Sequence, residues 1–127
     1  MRHLFAVGLL LSLGACALFA PSGQRYTVFF QESSAQMTDS SRAVLVAAAD
    51  RAKKHPNMPV VIAGYADPYG SQQANADITR LRGQVVYDGL VANGVPATRI
   101  ERRETGAVKF QLDPLESRRV EIIVGNP

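Results

Sequence analysis

A chain of 127 residues with one cysteine, 14 lysines and arginines, and 11 aspartates and glutamates has room for one domain and for no internal disulfide. Its basic residues are spread along the sequence without aromatic platforms between them, so the footprint of a nucleic-acid-binding protein is missing.

The first stretch does not read as part of a fold. Arg2 and His3 make a short positive head, and residues 4–13 form an apolar run interrupted by Gly8 and Ser12. That run is far short of the ~20 residues that span a membrane, so residues 1–15 read as an export signal. A lone thiol in an exported protein calls for an explanation. The tetrad Leu13-Gly14-Ala15-Cys16 resembles the lipobox of bacterial lipoproteins, in which the Cys is acylated and becomes the first mature residue. Ordinary signal cleavage, with Cys16 discarded or left free, is the alternative. Ala17 stands where an Asp would retain the protein, which by resemblance to lipoprotein sorting favours the outer membrane, with the domain in the periplasm. Removing residues 1–15 takes away Arg2 alone, leaving 13 basic against 11 acidic residues, or +2.

Residues 16–24 then comprise the candidate lipidated Cys16 and a short tether with Pro21, Ser22 and Gly23 at its centre. Eight residues of tether stretch to roughly 30 Å at most. The domain occupies residues 25–127. Its first strand is expected at 25–31 (RYTVFFQ), rich in β-formers. Thr38 or Asp39 can cap a helix running to His55, with Ala43, Val44, Val46, Ala47 and Ala48 as its packing face and Pro56 as its stop. The unbroken apolar run 59–66 (PVVIAGYA) reads as a buried strand. Residues 71–93 read as a second helix, closed by Gly94 as a left-handed cap and Pro96 beyond. Strands are expected at 99–105 and 118–124, the last alternating with Val120, Ile122 and Val124 on one face. The order βαβαββ predicts an α/β two-layer sandwich, two helices on one small mixed sheet.

On a helical wheel for the second helix, Ala74, Ile78, Leu81, Val85, Val86 and Leu90 share one arc, which is expected to face the sheet. Arg82, Asn75 and Thr79 fall inside that arc. A guanidinium drawn under a fold needs a carboxylate and hydrogen bonds. Asp67, fifteen residues earlier at the end of the preceding strand, is the nearest carboxylate in sequence to serve it.

The run Gly64-Tyr65-Ala66-Asp67-Pro68-Tyr69-Gly70-Ser71, followed by Asn75, Ile78-Thr79 and Arg82, resembles the signature of the OmpA-like peptidoglycan-binding domain. Ser117-Arg118-Arg119-Val120-Glu121 and the opening Val28-Phe29-Phe30 with Ser33-Ser34 and Thr38 resemble further motifs of that family in the same order. The resemblance implies that the protein binds peptidoglycan through the diaminopimelate of the stem peptide, with Asp67 and Arg82 as the binding pair. Asn75, Thr79, Tyr65, Gly70 and Arg119 are expected around it. Tyr65 and Ala66 depart from the common His and Thr, Gly83 from Ala, and Ser117 from Asn. On the residues alone, Asp67 and Arg82 could equally form a structural salt bridge with no ligand.

Two other functions compete. Hydrolysis of the wall polymer finds little support: His55 is the only histidine after residue 15, and no metal-spaced or nucleophile motif occurs. The expectation is a non-enzyme with no cofactor and no metal. An OmpA-like domain without a peptidoglycan ligand, docking other envelope proteins, is the remaining alternative.

Overall fold

The computed structural model describes residues 23–66, 70–107 and 118–126. The expectations for residues 1–22, including Cys16, and for Asp67 lie outside them.

Strands β1 (Gln24–Phe29), β2 (Val60–Ala66), β3 (Ile100–Ala107) and β4 (Arg119–Val124) form one sheet in the order β1-β4-β2-β3. The pairings β1·β4 and β4·β2 are antiparallel and β2·β3 is parallel, so the sheet is mixed, as the element order predicted. Helices α1 (Asp39–Lys54) and α2 (Gln72–Ala92) both pack on one of its faces. The strand residues in that core alternate in register: Val28 opposes Val120, Tyr26 opposes Ile122, and Ile62 opposes Ile122 from the other side.

The helix ends follow from local chemistry. Thr38 caps α1, its hydroxyl accepting from the Ser41 N–H at 3.3 Å, and Ser71 does the same for α2 through Ala74. Gly94, at φ +95°, turns the chain out of α2, and the Val95 N–H returns to the Leu90 carbonyl at 3.0 Å. A single 3-10 turn, Ala97–Arg99, precedes β3. The expected strand had begun at Arg99. Instead Arg99 donates to the carbonyls of Ala52, His55 and Met58 at 2.7–2.9 Å, closing the C-terminal end of α1.

Two expected packing faces are corrected. The face of α1 that reaches the core is Ser41, Leu45, Ala48, Ala49 and Ala52, while Ala43, Val46 and Ala47 are exposed. Alanines at this seam let α1 lie close to the sheet, and Leu45 fills the notch left by Gly89 of α2, where a Cβ would sit 2.8 Å from its Cδ1. In α2, Leu81 is 58% exposed and Ala74 is also exposed; the buried row is Thr79, Arg82, Gly83, Val86 and Leu90. The buried arc is therefore rotated toward the polar residues, because β2 meets α2 at Gly64. There a Cβ would lie 2.9 Å from Thr79 Cγ2, so only glycine permits this approach.

Candidate functional site

Arg82 is 4% exposed, and its position follows from the rotation of α2 just described. Its Nε donates to the Ser34 carbonyl at 2.8 Å and Nη2 to the Gln31 carbonyl at 3.1 Å. Its guanidinium carbon lies 5.3 Å from the centre of the Phe30 ring. A helix residue thereby grips the loop between β1 and α1 through backbone oxygens. That loop is itself tightly folded: Ser33 has φ +49°, the Gln31 N–H donates to the Gln36 carbonyl, and the Gln36 N–H donates to Ser34 Oγ.

Beside the guanidinium opens a cavity of about 320 Å³ lined by Glu32, Ser33, Ala74, Asn75, Ile78, Arg82 and Arg118. Two arginines and the first turns of α2 bias it toward anions, since the N-terminal end of a helix carries partial positive charge. Glu32, within 3.8 Å of Arg118 and 83% exposed, sets one carboxylate at the rim. Beneath it, Thr79 is buried, with its hydroxyl 2.7 Å from the Asn75 carbonyl and 3.3 Å from that of Tyr65. Thr79 thus ties the second turn of α2 to the last residues of β2. Gly70, at φ +86° and exposed, makes the turn into α2, a backbone state that favours glycine.

Of the expected site residues, Arg82 and Asn75 line this cavity, and Thr79 does not, although its hydroxyl donates to the Asn75 carbonyl. The structure places Tyr65 and Arg119 on the other face of the sheet. There the Arg119 guanidinium carbon lies 3.9 Å from the centre of the Tyr65 ring, and both side chains reach Glu121: Tyr65 donates its hydroxyl at 3.0 Å and Arg119 its Nε at 3.2 Å. Arg25 adds a third contact at 3.5 Å. Burial, the Glu121 hydrogen bond and the Glu121 charge together raise the Tyr65 phenol above its ordinary pKa, against smaller opposing effects of Arg119 and Arg25.

The sequence did not point to Glu32 or Ser33 at the cavity, and of the alternating pair Arg118–Arg119, one of which is expected at the site's edge, the structure places Arg118 there and not the expected Arg119. The signal for Arg118 was present, because strand alternation puts it on the same face as Val120 and leaves Arg119 with Glu121. Among the described residues no group of three or more histidine, cysteine or acidic side chains is placed to hold a metal.

A profile of the OmpA family matches residues 29–118. Over 105 residues the chain is 32% identical to a peptidoglycan-associated lipoprotein of Rhizobium meliloti, an alignment covering 78% of this chain and 60% of that protein. Over 107 residues it is 32% identical to the peptidoglycan-binding protein ArfA of Mycobacterium tuberculosis, covering 76% of this chain and 32% of the relative. The fold is similar to the crystal structure of the peptidoglycan-associated lipoprotein from Burkholderia pseudomallei, with a TM-score of 0.69, 25% identity, and coverage of 78% and 89% of the two chains. It is also similar in fold to the OmpA-like domain of FopA1 from Francisella tularensis, with a TM-score of 0.70, 18% identity, and coverage of 81% and 72%.

Proposed function

Because the chain belongs to the OmpA family, we propose that its domain is a binding module that holds peptidoglycan without covalent chemistry, and that a lipid on Cys16 ties it to the outer membrane. The observation that carries the reading is Arg82, a guanidinium nine-tenths buried yet lining an open cavity. A guanidinium held there by the Ser34 and Gln31 carbonyls is a fixed, always-charged donor at the cavity wall, suited to a carboxylate. The cavity volume lies at the small end of the range for small-ligand sites, about 300–1,000 Å³.

Diaminopimelate suits that space, since its free end carries an ammonium and a carboxylate on one carbon. In this reading Arg82 and Arg118 attract the carboxylate, Asp67 takes the ammonium, and the Asn75 amide fixes the orientation. The grip is reversible and needs no nucleophile, general base or cofactor. The names of the Rhizobium and Mycobacterium relatives support the wall as the ligand. The lipoprotein names support the anchor.

Cosedimentation with isolated sacculi tests the site. Each charge-assisted hydrogen bond contributes about 1.5–3 kcal/mol, so Asp67→Asn and Arg118→Gln should each weaken binding by about tenfold or more. Free diaminopimelate should release the parent protein. Equal pelleting of parent and variants would mean that the cavity is not the wall site. A folded parent that stays in the supernatant would point instead to a protein-docking module. Palmitate incorporation, compared with Cys16→Ser, tests the anchor.

A further inference from the structure

The two ends of this sheet carry different chemistry. Gln24, Val60 and Val124 share one end by register, and Phe29, Gly64 and Arg119 mark the other. The candidate wall site lies at the second end, where β1 runs into the Gln31–Ser34 loop and α2 begins. The chain enters the fold at the first end: the Gly23 N–H donates to the Asn126 carbonyl at 2.7 Å, and the Gly125 N–H to the Pro59 carbonyl at 2.9 Å. A six-residue strand, roughly 17–20 Å long, separates the two.

The same entry end gathers Arg51, Lys53, Lys54 and His55, the last turn and cap of α1. Dipole compensation alone does not account for them, because Arg99 already engages three carbonyls there. Asp50 pairs with Lys53 at 3.1 Å, whereas Lys54 forms no ion pair among the described residues and is exposed. Arg25, near this end but on the opposite face of the sheet, is answered by Glu121 at 3.5 Å and adds nothing to the cluster; Glu101, on the second residue of β3, is answered by Arg103 at 2.7 Å. At the other end, by contrast, Asp39 pairs with Arg42 and Glu32 with Arg118.

We propose that the pole formed by Gly23 and the Arg51–His55 turn is a docking surface for anionic phospholipid headgroups, laying the domain on the membrane with its cavity turned away. The inference rests on the reading that Cys16 is the membrane anchor. Six residues separate Cys16 from Gly23, which holds this pole within roughly 25 Å of the anchor. A surface potential decays over a Debye length of about 8 Å at physiological salt, so the pole feels it only when resting on the headgroups, which the tether's slack permits. Residues scattered in sequence become a patch because α1 ends where the chain enters.

The test uses the processed chain from residue 16 on, carrying Cys16→Ser, so that neither an acyl group nor the apolar run of residues 4–13 contributes, and flotation with vesicles of phosphatidylcholine alone or mixed equally with phosphatidylglycerol. The parent should prefer the mixed vesicles. Each lysine near an anionic surface strengthens partitioning by about fivefold, so Lys53→Gln with Lys54→Gln should lower that preference by about thirtyfold. Arg42→Gln with Arg80→Gln removes equal charge elsewhere and should leave it unchanged. Amide exchange on the parent should slow over residues 51–58 with mixed vesicles. Equal binding to both vesicle types, or equal loss in the two double variants, overturns the proposal. Sacculus cosedimentation of the same proteins separates the two readings: lost wall binding with an intact lipid preference sinks only the function proposed above, and the converse sinks only this one.

Discussion

Gly64 and Thr79 form the contact that sets the depth of α2 over the sheet, and their coupling can be measured. A methyl at Gly64 would stand 2.9 Å from Thr79 Cγ2, against about 3.5–4.0 Å for an ordinary carbon contact. Gly64→Ala must push α2 outward or distort β2, at about 1–3 kcal/mol for overpacking. Thr79→Ser deletes the offending methyl and keeps the hydroxyl that faces the Asn75 and Tyr65 carbonyls. Alone it should cost about 0.8 kcal/mol of burial. In the double variant the alanine methyl occupies the space the threonine vacates, so the pair should be more stable than the sum of the singles by about 1–2 kcal/mol. Urea denaturation of the four proteins, with slopes compared to confirm one transition, gives the coupling. Additivity within about 0.5 kcal/mol would refute the close approach and the placement of Arg82 derived from it.

Arg82→Lys, which keeps the charge but cannot span both loop carbonyls, should lose about 1.5–3 kcal/mol and lower the melting temperature by on the order of 10 °C, read by circular dichroism. Arg99→Ala should destabilise the domain by about 2–3 kcal/mol, with faster amide exchange around Ala52–Met58 as the local signature. In an alkaline absorbance titration Tyr65 should ionise above the ordinary value of 10.0, and Glu121→Gln should move it back down. The sign for stability follows: the raised phenol favours the folded state fully below the unfolded value, and that contribution fades as pH rises through the folded one, so Glu121→Gln should flatten the alkaline limb.

Much of this was legible beforehand because it is local. Thr38, Ser71 and Gly94 announce the helix ends through their own backbone bonds, and the alternation of Val120, Ile122 and Val124 fixes which face of β4 meets the helices. The burial of Arg82 was also readable, from its place among apolar neighbours on the wheel. What escaped depends on partners far along the chain. The wheel put Leu81 inward because it could not see that Gly64 draws the polar side of α2 down onto β2. The carbonyls that hold Arg82 lie 48 and 51 residues away and leave no side-chain trace. Arg99 looked like a strand residue for the same reason, its three acceptors being backbone oxygens 41–47 residues earlier.

Gly23 and the cavity sit at opposite ends of β1, and this has a mechanical consequence. On the function proposed above, a pull applied through Gly23 against a guest held at the cavity would run along the strand axis. It draws β1 toward one pole while the start of β4, beside Arg118, is held toward the other. The six paired residues from Gln24 with Val124 to Phe29 with Arg119 are then sheared together, instead of being peeled apart one at a time. Such a seam yields only when its bonds fail in concert, which is what the link between membrane and wall proposed above would ask of it.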